Sequence, residues 1–166
     1  MRVEAEIRRR IGERGAITFA EFMELALFWP DGGYYLVGEP IGPAGDYYTS
    51  PQVHPMFGAL LAVQLFQMWQ LLGQPDPFTV VELGAGNGLL CRDVVACGDS
   101  LPSGFARSLR YVCLDRRPAR GLETAVRENG PATRVSRVAA SGLPFRRIMG
   151  CFLSNEYLDS FPVHQV

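Results

Sequence analysis

Phe78-Thr79-Val80-Val81-Glu82-Leu83-Gly84-Ala85-Gly86-Asn87-Gly88 is the stretch whose reading decides the fold. Its first six residues form an apolar, β-branched run between Pro77 and Gly84, which reads as a buried strand. Three alternating glycines follow, and Leu89 to about Ala96 reads as a helix. Glycine permits positive φ at a sharp strand-to-helix turn, and without Cβ the backbone passes flat beneath a ligand. A nicotinamide fingerprint would be GxGxxG, but position 89 is leucine. Glu82 stands two residues before the first glycine and is expected to point its charge at the mouth of the turn. There it would repel a pyrophosphate and attract the sulfonium and ammonium of S-adenosylmethionine. The expected cofactor contacts in this stretch are Glu82, Gly84, Ala85, Gly86 and Gly88.

Working outward, Tyr111 to Leu114 reads as a second strand that ends at Asp115. A carboxylate at that strand end can accept hydrogen bonds from both ribose hydroxyls, although it could equally cap the helix expected from Pro118 to Glu128. Thr133 to Ala139 and Ile148 to Ser154 read as third and fourth strands. Strands alternating with helices predict a parallel, doubly wound α/β sheet, with its ligand at the carboxyl ends of the strands.

Upstream, Pro75 and Pro77 mark a boundary between a helical segment, residues 1–73, and the sheet domain, residues 77–166. Val3 to Arg14 reads as a helix. Thr18 and Glu21 have the capping-box spacing, opening a helix that runs to Phe28 or Trp29 and stops at Pro30. Asp31-Gly32-Gly33 is a turn, and Gly42 to Pro51 is a punctuated loop feeding a long helix that Gly73 ends. Gln64, Gln67 and Gln70 draw a polar stripe along that helix, which argues for a buried amphipathic helix rather than a membrane span.

Composition bounds the function. The 166 residues are 48% hydrophobic and 20% charged, with net charge −1, which excludes a basic nucleic-acid groove or an anionic-membrane surface. Every basic residue is arginine. Cys91, Cys97, Cys113 and Cys151 show no CxxC spacing, and His54 and His164 are isolated, so no zinc site, other metal site or disulfide framework is expected. A reducing compartment follows, and no signal-peptide pattern is visible. A bacterial cytoplasm is expected, or the mitochondrial matrix for a eukaryotic chain.

Several segments resemble the MidA-like methyltransferases, a family that includes mitochondrial complex I assembly-factor arginine methyltransferases. They are Ile17-Thr18-Phe19-Ala20-Glu21-Phe22-Met23, Gly33-Tyr34-Tyr35, Gly45-Asp46-Tyr47-Tyr48-Thr49-Ser50-Pro51, Phe57-Gly58, the glycine turn with Asp93, and Asn155-Glu156-Tyr157-Leu158-Asp159-Ser160-Phe161-Pro162-Val163-His164. Ala85, Asn87, Gln52 and Asp115-Arg116 depart from the usual pattern, but no glycine of the turn is lost. The resemblance implies a Rossmann-like class I methyltransferase sheet, here partial with about four parallel strands, preceded by an N-terminal helical segment. It also implies that the family continues past the PVH segment, leaving the fourth strand as an unprotected apolar edge. The 166 residues alone are therefore expected to be a truncated piece that associates or dissolves poorly.

The resemblance further implies an enzyme that methylates arginine on a protein partner. Methyl transfer from a sulfonium asks the protein to align the nucleophile and exclude water. Asn155, Glu156 and Asp159 follow the fourth strand, and the two carboxylates suit a planar guanidinium. The competing account makes Asn155 an N-cap and the two acids favourable first-turn residues of a helix. Asp46, Thr49 and Ser50 are assigned to a loop that closes over the cofactor, or serve only as turn formers. Tyr34 and Tyr35 read as core, and Asp93 as a helix-face or loop anchor. A non-catalytic assembly factor and a nicotinamide oxidoreductase are the alternatives. The acceptor and the oligomeric state are not legible.

Overall fold

Residues 2–37, 42, 45–116, 134–140 and 142–165 are described by a computed structural model of the chain. They form two compact units, Met1–Thr49 with Glu156–Val166, and Ser50–Asn155.

In the first unit, two helices pair through charge as much as through apolar contact: α1 (Val3–Arg14) and α2 (Phe19–Phe28). Thr18 caps α2 by accepting the Glu21 N–H at 3.1 Å, but Glu21 does not close the reciprocal half of the capping box. Its carboxylate is taken by Arg10 at 2.7 Å and Arg14 at 2.9 Å. Glu6, only 2% exposed, accepts from Arg9 and Arg10, and those hydrogen bonds hold its carboxyl down at about 2. Arg10 also lies over the Trp29 ring. The helix ends at Trp29 as Pro30 requires.

The second unit holds α3 (Ser50–Val53), α4 (Met56–Leu71), β1 (Phe78–Leu83), α5 (Leu89–Gly98), α6 (Ser103–Ser108), β2 (Leu109–Asp115), β3 (Val135–Ala139) and β4 (Gly150–Ser154). All strand pairs are parallel, in the order β3-β2-β1-β4. That order reverses at β1, so the switch point lies between β1 and β4, flanking the glycine turn. The helix expected over Pro118 to Glu128 lies outside the described residues.

α4 buries Gly58, Ala62, Leu65 and Trp69 on one stripe, the i, i+4, i+7, i+11 spacing of a helix face. The glutamines 64, 67 and 70 are exposed as the pattern requires, but so are Met56, Leu60 and Leu71; the helix is half covered rather than buried. At its end Gly73 adopts φ 82°, and the Gln74 N–H reaches back to the Trp69 carbonyl, closing a Schellman turn. α4 packs on α5. The expected boundary at Pro75 and Pro77 thus parts α4 from the sheet, whereas packing joins them. The core on this side is Phe78, Val80, Leu90, Val94, Phe105, Leu109 and Tyr111, with Trp69 and Phe105 edge to face. A smaller cluster of Val81, Val112 and Leu114 lines the other face of the sheet. Among the described residues no helix is long and apolar enough to cross a membrane.

Candidate functional site

The apolar run of β1 stops where the glycines begin, and there the backbone leaves the conformations open to most side chains. Gly84, Gly86 and Gly88 have φ of 69°, 52° and 76°, so each needs a residue without Cβ. The turn is pinned to β2: the Gly84 N–H donates to the Leu114 carbonyl at 2.9 Å, and the Gly86 N–H donates to Asp115 Oδ2 at 3.0 Å. A Cβ built on Gly86 would meet nothing within 4 Å. The chain's own packing therefore leaves open space above the turn. Ala85, by contrast, points into the core.

Asp115 is doubly placed. It terminates β2, the strand next to β1, and its carboxylate already orders the turn that would carry a cofactor. Its position as cap of the helix expected from Pro118 falls on residues outside those described. Gly88 precedes α5 in a left-handed conformation, and Asn87 Oδ1 accepts the Leu89 N–H at 3.2 Å. The first turn of α5 is thus capped by the glycine turn itself.

Glu82 does not stand at the mouth of the turn as expected. Strand alternation places it on the same face as Phe78 and Val80, against the α4 and α5 layer, where it is 4% exposed. Tyr111 Oη donates to its Oε2 at 2.9 Å. Burial, reinforced by the charge of Asp115, raises its carboxyl to about 7, and the Tyr111 hydrogen bond pulls the other way. Near neutral pH the carboxyl is divided between its protonated and ionised forms, so its charge is conditional. Tyr111 was not singled out from sequence; the signal was there, since a tyrosine in an otherwise apolar buried strand needs a partner for its hydroxyl. Cys91 and Cys113 lie near the same carboxylate, with the Cys91 thiol pushed up by Cys113 and by burial. All four cysteines are free thiols. No group of three metal-binding side chains occurs among the described residues.

The other expected site residues fall elsewhere. Ser50 opens α3 in the second unit and is exposed. Asp46 and Thr49 belong to the first unit, where Asp46 accepts the Tyr34 hydroxyl at 2.8 Å. Tyr35 and Tyr47 oppose their hydroxyls at 3.4 Å, and Tyr35 stacks on Phe28. These tyrosines tie the loop to the turn after α2, rather than serving as plain core. Burial, Tyr35 and the charge of Asp159 keep the Tyr47 hydroxyl protonated.

Asn155 follows β4 directly, and among the described residues no α-helix follows it. Glu156 takes φ 48°, left-handed for a residue with a side chain, and Asp159 sits in a single 3-10 turn, Leu158–Ser160. The helix-capping account of these three residues therefore does not describe them. Glu156 and Asp159 are both exposed and lie in the unit that also contains Asp46 and Tyr47. Nothing in the sequence foretells a left-handed glutamate.

A parallel sheet that opens through such a turn at its switch point defines a Rossmann-type domain for a nucleoside cofactor. The chain belongs to the family described as "Putative S-adenosyl-L-methionine-dependent methyltransferase", which matches residues 60–166. It is 41% identical over 90 residues to the Drosophila melanogaster "Protein arginine methyltransferase NDUFAF7 homolog, mitochondrial", covering 54% of this chain and 21% of that protein. It is 30% identical over 176 residues to human "Protein arginine methyltransferase NDUFAF7, mitochondrial", covering 94% of this chain and 40% of that protein. A Burkholderia thailandensis crystal structure bound to S-adenosyl-homocysteine superposes with TM-score 0.80 at 29% identity, covering 96% of this chain and 42% of the other. The chain therefore spans well under half the length of these relatives.

Proposed function

We propose that this chain supplies the cofactor-binding part of an S-adenosylmethionine-dependent methyltransferase that modifies arginine side chains of a protein partner. The observation that carries the reading is the open glycine turn tethered at Gly86 to Asp115. Its residues fit the group: three positive-φ glycines leave room for a flat ligand, and a strand-terminal carboxylate stands ready for ribose hydroxyls. When bound, the cofactor supplies a methyl group already activated by positive sulfur.

The chain's own residues hold, orient and exclude water. Gly84, Gly86 and Gly88 shape the floor, Ala85 packs it onto the core, and Asp115 accepts from the ribose. Glu82, buried beneath the turn, favours a cation above it once ionised. Asp46, Thr49 and Ser50 contribute to closure over the cofactor. Glu156 and Asp159 grip the acceptor guanidinium, and Asn155 takes part in the same step. The left-handed backbone of Glu156 supports a role in binding, since strain at a residue with a side chain gathers at functional positions. Relatives named as mitochondrial support a mitochondrial location for a eukaryotic chain.

The test is mass spectrometry of a candidate partner incubated with the protein and S-adenosylmethionine. Added methyl groups on arginine support the reading, and Glu156→Gln is expected to keep cofactor binding while losing transfer. Unchanged transfer by that variant would remove Glu156 from the acceptor site, and an unmodified partner despite cofactor binding would favour an assembly role without turnover.

A further inference from the structure

Asp93 carries a charge that the glycine turn does not account for. It sits on α5, about one turn beyond Gly88, and is 8% exposed. Its Oδ1 accepts from the Arg92 guanidinium at 2.8 and 2.9 Å. Its Oδ2 is buried and has no hydrogen-bond partner among the described residues. A carboxylate oxygen sealed from water without a donor is costly, and native chains seldom keep one without a use. The placement is enforced by Gly58, where a Cβ would lie 2.6 Å from the Asp93 Cβ. Glycine on α4 thus lets the acid be pressed between α4 and α5, and α3 packs on α5 as well.

We propose that Asp93 is a positioning residue for cofactor binding: its orphan Oδ2 receives the Ser50 hydroxyl when α3 settles over the loaded turn. Ser50 is the donor the local chemistry favours. Among the side chains of α3, those of Pro51 and Val53 carry no donor and Gln52 has an interaction of its own, whereas the Ser50 hydroxyl is exposed. The free chain then bears an unsatisfied oxygen that the bound state satisfies, so part of the binding free energy is stored in the empty protein. The proposal rests on the cofactor reading above.

The experiment is calorimetric titration of S-adenosyl-homocysteine into wild type, Asp93→Asn, Ser50→Ala and the double variant, with thermal unfolding of each ligand-free protein. Asp93→Asn is expected to bind roughly tenfold or more weakly, the worth of a hydrogen bond to a charged group, while its ligand-free Tm stays level or rises. Ser50→Ala is expected to weaken binding similarly, and the double variant no further than either alone. Additive losses, wild-type affinity in Ser50→Ala, or wild-type affinity in Asp93→Asn would each overturn the proposal. Should Asp93→Asn fail to fold, the affinity of Ser50→Ala decides alone. Wild type that does not bind S-adenosyl-homocysteine would instead sink the cofactor reading.

Discussion

At the scale of single residues, Glu82 and Asp115 divide the work of the turn by their surroundings. Asp115 is partly exposed and holds a backbone N–H, while Glu82 is sealed beside Tyr111. Because the folded chain raises the Glu82 carboxyl from 4.5 to about 7, the native state binds its proton more readily than the unfolded chain. Its contribution to stability therefore falls as pH rises from about 4.5 to about 7, by on the order of 3 kcal/mol, and is flat above that. Glu82→Gln is expected to flatten this part of a pH series of chemical denaturation. Tyr111→Phe removes the hydrogen bond that lowers the carboxyl and is expected to move its titration upward, readable by NMR of the labelled carboxyl. A bound cation favours the ionised form, so S-adenosyl-homocysteine, which lacks the sulfonium, should show a weaker pH dependence than S-adenosylmethionine. Asp115→Ala is expected to weaken cofactor binding by roughly 1–3 kcal/mol in calorimetry, since the turn loses its tether and, on the proposed reading, the ribose loses its acceptor. That Glu82 faces the helices is legible in its parity with Phe78 and Val80; the glycine motif alone carries no such alternation and leaves the charge at the mouth.

At the scale of elements, the chain follows local chemistry closely. α1 and β1 begin and end where the sequence places them, because charge, proline and glycine punctuate them sharply. The Thr18 cap is real, and Thr18→Ala is expected to cost about 1 kcal/mol in denaturant unfolding. The reciprocal half of the box is absent because two arginines on α1 outbid one backbone N–H for Glu21. The segment after β4 carries a helix-start pattern that the backbone does not follow: Asn155 and two nearby acids imitate a cap, but the left-handed Glu156 breaks helical geometry at once. Likewise Phe57-Gly58 carries no secondary-structure signal of its own. Its meaning, the close approach of α4 to α5, appears only when Asp93 is opposite.

At the scale of the molecule, the sheet order places β4 at an edge, paired among the described residues only with β1, and leaves Phe152 exposed on it. An apolar edge invites pairing between copies. The 166-residue chain alone is expected to sediment as more than a monomer, and Phe152→Lys to shift it toward the monomer; a wild-type chain that stays monomeric would contradict this. Binding at the glycine turn is read by parallel calorimetric titrations with S-adenosyl-homocysteine and with NAD. A turn built for S-adenosylmethionine gives one saturable site for the first, weakened by Asp115→Ala, and none for the second. A dinucleotide that binds at the turn while S-adenosyl-homocysteine does not would contradict it.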